Sequence, residues 1–245
     1  MRRGLFSTCG DAVRRVAVVL LLTATSAPAQ AQNDHACHDG HISSDLAVLR
    51  PGVISSKEPR SHFYEGADTR AGCPGAGPTC RRKGYVLRGD KVIVAEERVP
   101  GFVCAAFVDR KGEITAGWLP EATVDIRPPA QPSLANWLGR WRYGNSNITI
   151  KRGKAPGTFD VEGDSWSKRY QSVNEGVISG EAVKPNGNII AFADDAGTTV
   201  PYEKANKETD CAIMFALVHD VMVAEDNGNC GGAGVYFSGF YRRKR

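Results

Sequence analysis

Cys211 to Cys230, reading CAIMFALVHDVMVAEDNGNC, holds two apolar runs, 212–219 and 221–225, either side of the polar corner His219-Asp220. Runs so rich in β-branched and aromatic residues, closed by the turn string Asp226-Asn227-Gly228-Asn229, spell an antiparallel hairpin. A cysteine at each end lets a disulfide close a loop of about 20 residues between neighbouring strands, worth roughly 3 kcal/mol by loop entropy.

The same texture extends outward from this hairpin. Further runs at 140–143, 147–151, 158–161, 177–183, 188–193 and 235–241 bring the second half to about eight strands. Short strands joined by tight turns predict an up-and-down antiparallel barrel over about residues 136–243, closed so that no edge is exposed. In the first half, runs at 85–87, 91–96, 102–108 and 115–119 alternate with the turn signals Gly89-Asp90 and Lys111-Gly112. No long segment carries helical periodicity, so the fold class is all-β: a small barrel and a second, eight-stranded one. Between them lies Arg127-Pro128-Pro129-Ala130-Gln131-Pro132-Ser133, whose prolines remove amide donors and favour an extended linker. The reading divides the chain into a signal (1–31), an N-terminal arm (32–59), a small barrel (60–127), a linker (128–135) and a second barrel with a basic C-terminal tail (136–245).

The signal is read from Arg2, Arg3, Arg14 and Arg15, the apolar run Val16 to Leu22, and small residues ending Ala29-Gln30-Ala31. Cleavage after Ala29 or Ala31 both fit the small-x-small rule, and the later site leaves a polar start. The apolar run is too short to span a bilayer, so no transmembrane segment is expected after cleavage. The expected location is periplasmic or secreted, where thiols are oxidised. The formal charge of +4 owes much to the signal: without its four Arg and one Asp, 27 basic and 26 acidic residues remain. Four of the basic ones end the chain, Arg242, Arg243, Lys244 and Arg245. A near-neutral body argues against nucleic-acid binding, which rests on many phosphate contacts.

Six cysteines follow the signal. With no bond crossing the proline linker, Cys211 pairs with Cys230, Cys73 with Cys80 is the local choice across the Gly- and Pro-rich loop 70–82, and Cys37 is left for Cys104. These bonds occupy every thiol of the mature chain. The rival reading of the arm is a metal site at His35, His38 and His41, three of the five histidines. No closed zinc spacing accompanies them, and no cofactor is implied.

Gly89-Asp90-Lys91-Val92-Ile93-Val94, then Gly101 to Val108, then Gly117-Trp118-Leu119-Pro120-Glu121-Ala122-Thr123-Val124 resemble the core of a bacterial SH3-like domain over about residues 60–127. Such domains hold ligands against aromatic ridges. The resemblance implies ligand contacts at Phe102, where a Trp is usual, at Trp118, and at Pro120, which matches the groove proline; Thr123 replaces the usual Tyr. The family's Asn-Val-Arg-Ser-Gly-Pro first strand is missing, and the cysteine loop is an insertion. In the second half, Trp137-Leu138-Gly139-Arg140-Trp141 and Phe240-Tyr241-Arg242 resemble the Gly-x-Trp start and closing Arg of calycin-type barrels. That implies a structural pair, with Arg242 packed across Trp141 to seal the barrel base.

Asp226, Asn227 and Asn229 present oxygen-bearing side chains that suit the rim of a binding site, beside the plainer account of a pinned hairpin loop. A nucleophile elbow, a phosphate loop and a His-Glu-x-x-His pair are all missing from the sequence, and Asp194-Asp195, being adjacent in a strand, point to opposite faces. The expected function is a non-catalytic envelope binding protein engaging a cell-wall or protein partner. The alternatives are a carrier enclosing a small apolar ligand and a hydrolase with a carboxylate site assembled by folding. A lumen packed with Ile148, Ile150, Ile190, Phe192 and Met214 would hold no cargo, whereas an open apolar lumen could.

Overall fold

The computed structural model describes residues 37–39, 42–43, 45–169 and 171–244. The signal, its cleavage sites, His35 and His41 lie outside the described residues. Strands β1 (Arg50–Ile54), β2 (Arg60–Tyr64), β3 (Arg81–Leu87), β4 (Lys91–Val99), β5 (Phe102–Val108), β6 (Ile114–Pro120) and β7 (Val124–Ile126) form a seven-stranded antiparallel sheet in the order β3-β2-β6-β5-β4-β1-β7. After a short helix, α1 (Leu134–Trp137), come β8 (Gly139–Tyr143), β9 (Ser146–Arg152), β10 (Phe159–Arg169), β11 (Ser172–Val183), β12 (Ile189–Asp195), β13 (Thr198–Val200), β14 (Cys211–Val218), β15 (Val221–Asp226) and β16 (Gly239–Arg243). These nine strands form a nearly closed antiparallel barrel in the order β11-β10-β9-β8-β16-β15-β14-β12-β13.

The fold class is all-β as the sequence indicates, but the second sheet has nine strands where eight are expected. The extra strand, β13, is three residues long and folds back on the end of β12. The barrel's two ends meet through side chains: Asp194 Oδ2 accepts from the Ser179 amide at 3.2 Å, and Thr199 Oγ1 accepts from the Glu181 amide at 2.7 Å. Asp194 is thus a seam residue. β10 and β11 also outrun their expected limits, pairing on to Arg169 and Ser172. This extension is rich in Ser, Gly and charge, so its strand character rests on cross-strand pairing and on hydrogen bonds to the 232–236 loop rather than on an apolar face. The last strand is Gly239–Arg243 in place of 235–241, and the basic residues are no free tail: Arg242 and Arg243 pair with β8, and the Lys244 amide donates to Arg140 O at 2.8 Å.

β1 is not among the runs read from the sequence, and it carries Pro51-Gly52 inside a five-residue strand. Pro51 lies beyond the β7 ladder, which starts at Gly52, so its missing amide costs little there. A Cβ on Gly52 would stand 2.8–2.9 Å from methyls of Val92, Val94 and Val124, so only glycine lets β1 run between β4 and β7.

Three apolar clusters hold the molecule. The barrel lumen is filled by Trp137, Trp141, Ile148, Ile150, Phe159, Ile190, Phe192, Phe215, Phe237 and Tyr241, each at most 1% exposed. Met214 faces outward instead. The seven-stranded sheet curls around Ile54, Phe63, Val86, Val92, Val94, Val103 and Leu119. The third cluster joins the halves: Ile93, Cys104, Ala106, Val108 and Trp118 of the first sheet meet Ala216, Val218, Val221, Val223 and Phe240 of the barrel's outer face. Leu46 and Leu49 of the arm are fully buried in it. β5, β14 and β15 therefore bury both faces, which is why they read as continuous apolar runs.

All three disulfides form as the sequence indicates, Cys37–Cys104, Cys73–Cys80 and Cys211–Cys230, with Cα separations of 5.7, 5.6 and 4.5 Å. The first pins the arm into the shared cluster. No helix among the described residues is long and apolar enough to cross a membrane.

Candidate functional site

A groove of about 670 Å³ opens on the first sheet, between β2, the 55–59 turn and the helical turn Glu121–Thr123. Strand alternation builds its floor. In Arg60-Ser61-His62-Phe63-Tyr64, Phe63 points into the sheet's own core, while His62 and Tyr64 are half-buried on the other face. Tyr64 packs edge-on against Phe102, with ring centres 5.2 Å apart, and Arg60 stacks its guanidinium 4.5 Å above the exposed Tyr85 ring. The walls come from Pro59, Arg81, Pro120 and Thr123. The Thr123 hydroxyl donates to Pro120 O at 2.7 Å, which fixes the turn, and Ser56 Oγ accepts from the Glu58 amide at 3.1 Å. Ser61, 5% exposed, lines the groove, and its hydroxyl has no hydrogen-bond partner among the described residues. A buried hydroxyl left unpaired costs about 1–3 kcal/mol.

Of the residues expected to touch a ligand, only Pro120 lines the groove. Phe102 is 8% exposed and serves as backing for Tyr64; Trp118, 3% exposed, belongs to the cluster between the halves. Both lie in strands buried on two faces, so the rings find protein before they find solvent. Tyr64, His62 and Ser61 were missed, although the alternation in 60–64 carries a strand signal.

The Asp226 loop spends its side chains internally. Asp226 Oδ2 accepts from the amides of Phe237 and Ser238 at 2.6 and 2.7 Å, and Oδ1 accepts from Gly228 N. Asn227 donates to Lys207 O and Asp210 O and accepts from the Ala212 amide, while Asn229 donates to Lys207 O. These three residues tie the 207–210 segment and the 237–238 approach to the last strand to the hairpin instead of forming a rim. Gly228 has the positive φ expected of an Asn-Gly turn.

The stacked pair at the barrel base is shifted by one residue. Arg243 lies over Trp141, its guanidinium 4.8 Å from the ring, because Arg243 is the residue that pairs with Trp141 across β16 and β8. Arg242 points the opposite way and crosses to the first half, donating to Asp109 O at 3.1 Å, to Val108 O, and to Asp220 at 2.6 Å. Of the three arm histidines only His38 is described. Its Nδ1 lies 3.2 Å from Asp39 O, and the Asp39 carboxylate is engaged by Arg82 and the Ala116 amide.

A second groove, about 780 Å³, follows the barrel seam and is lined by Val183, Ile189, Phe192, Val200, Tyr202 and Met214. Lys207 places its ammonium 3.1 Å from the Tyr202 ring centre. Near this ring Glu225 is half-buried, and burial, reinforced by the adjacent Asp226, pushes its carboxyl up to about 7. Burial likewise raises the Tyr202 hydroxyl, helped by the charges of Glu225 and Asp45. Neither a protein family, nor a curated protein, nor a solved structure matches this chain.

Proposed function

We propose that the protein is a non-catalytic, exported binding protein of the bacterial envelope. Its first module, SH3-like in kind, holds a short extended peptide, from a protein partner or from the cell wall, in the groove floored by Ser61 and Tyr64. The observation that carries this reading is the groove itself: the half-buried Tyr64 ring and the walls of Pro59 and Pro120 lie together along β2. Peptide-binding grooves of this kind pair apolar shelves with a few placed polar groups. Tyr64 supplies the aromatic face that Thr123 does not, and Pro120 stands where the resemblance places a groove proline. Three disulfides suit an oxidising compartment, and all six of their cysteines are spent on structure.

The second module, calycin-like in kind, acts in this reading as a rigid partner to the first. Its packed lumen favours that role over carriage. The carrier reading is left with the seam groove, whose apolar lining is the observation in its favour.

The test is a shift-mapping titration of the oxidised, signal-free protein with soluble wall stem peptides and with a panel of extended peptides. Parallel samples take peptidoglycan in a pull-down. Shifts confined to Arg60–Tyr64 and Pro120–Thr123, with at least about tenfold weaker binding in Tyr64→Ala, are expected. Retention of lipid alone, with shifts along Val183, Ile189 and Val200, would replace this reading by the carrier.

A further inference from the structure

Five elements converge where the two halves meet at the end of the barrel remote in sequence from the groove strand. Arg110 comes from the β5–β6 turn, Asn136 from α1, Trp141 from β8, His219 and Asp220 from the β14–β15 corner, and Arg242 and Arg243 from β16. They line a cleft of about 660 Å³. A neighbouring cavity of about 510 Å³ shares Arg110, His219, Asp220 and Arg242 and adds Lys91 and Lys111, offset by Asp90 and Asp109.

The cleft is held open by its own side chains. Arg242 is a strut: it reaches Asp220 on its own side and the Val108 and Asp109 carbonyls on the other. Arg243 is fixed over Trp141 and donates to Asn136 O. His219, at φ 57°, sets one of its ring nitrogens 3.1 Å from Gly52 O, and burial lowers its pKa, so the ring is neutral and adds no charge. Of the charged residues lining the larger cavity, three are arginines and one is an acid, Asp220, which Arg242 already engages. Arg110 has no hydrogen-bond or ion-pair partner among the described residues. The cleft thus has two positive charges in excess, one of them on an unspent guanidinium at its mouth.

We propose that this cleft is a second binding site, for a ligand bearing a phosphate monoester. The excess of two charges matches a phosphate dianion, and guanidinium forks bind phosphate oxygens in pairs. Leu217 lines the cleft and offers an apolar edge for the body of such a ligand, while the Asn136 Oδ1 is taken by the Ser133 amide and hydroxyl. The site is independent of the groove on the first sheet and stands whether or not that groove takes a peptide.

The test uses the oxidised, signal-free protein and three probes in calorimetry or shift mapping at fixed low salt: inorganic phosphate, glucose 6-phosphate, and vesicles of neutral lipid with and without phosphatidic acid. Free glucose and the neutral vesicles are the controls. Arg110 is exposed, so Arg110→Ala should fold with an unchanged Tm and weaken binding at least about tenfold. Lys57→Ala, an exposed cation outside the cleft, should leave it unchanged. Binding of phosphate and the sugar phosphate assigns a soluble ligand; binding of the phosphatidic acid vesicles alone assigns a lipid headgroup. The proposal falls if none of the probes binds, or if the Arg110 and Lys57 variants weaken binding equally, the mark of unspecific charge attraction.

Discussion

Asp226 uses its whole carboxylate inside the protein, with two backbone amides and the Ser238 hydroxyl on Oδ2 and the Gly228 amide on Oδ1. Hydrogen bonds to a charged acceptor are each worth about 1.5–3 kcal/mol, and removing the acceptor strands two partly buried amides. Asp226→Ala should therefore destabilise by about 2–4 kcal/mol, measured by urea unfolding. Asp226→Asn should recover little, since its amide nitrogen would face donors on one side. Glu225, one residue earlier, behaves oppositely. Its folded-state pKa, raised to about 7 mainly by burial, exceeds its ordinary value, so the folded protein binds the extra proton and gains stability at low pH. That contribution is present below the ordinary carboxylate range and is lost as pH rises through about 7. Glu225→Gln should accordingly raise Tm at pH ~8 and leave it nearly unchanged at pH ~5, read by thermal scans of both proteins at the two values.

At the scale of elements, β14 and β15 were legible because each carries a dense apolar run with a polar corner between them, and the corner falls at His219-Asp220 as read. The Cys211–Cys230 bond was legible because the proline linker left it no other partner, and the first-half bonds follow the choice of the local pair Cys73–Cys80. Strand β1 and the outer halves of β10 and β11 were not, for two physical reasons: Gly52 is demanded by side chains from β4 and β7, and the 165–176 hairpin is held by pairing and by contacts with the loop after Cys230, which no local apolar pattern announces. The candidate groove was half legible. Pro120 stands in a recognisable string, whereas the Ser61 and Tyr64 positions depend on which face of a five-residue strand meets the core. The β10–β11 hairpin also takes support from the loop after Cys230. A Cβ on Gly176 would lie 2.4 Å from Cys230 O and 2.9 Å from Gly231 Cα, and backbone cannot step aside as a side chain can. Gly176→Ala should lift that loop and cost about 1–3 kcal/mol. Faster amide exchange at Gly232, which donates to Glu175 O, would report the lift directly.

The molecule as a whole rests on the cluster shared by its two sheets. Leu46 and Leu49 have no exposure, Val218 and Val223 have 2% and 4%, and Cys104, also fully buried, anchors the arm by its bond to Cys37. Fully burying an aliphatic side chain is worth about 1.5–3 kcal/mol, so opening the cluster that both halves contribute to would expose apolar surface on each of them. The proline segment is then a strap laid over a common core: the Arg127 amide donates to Pro51 O, and Pro129 and Pro132 line a small cavity with Leu217 and His219. Both sheets should unfold in a single transition. Val223→Asp, which buries an unpaired charge in the shared cluster, should destabilise by more than about 3 kcal/mol and release β5 and β10 together. Val177→Asp, at a side chain 74% exposed on β11, should stay within about 0.5 kcal/mol of the parent. Amide exchange at rising urea separates the possibilities: matching opening free energies for β5 and β10 confirm one cooperative unit. If β10 stays protected after β5 has opened, the sheets are independent modules, and the shared cluster does not couple them.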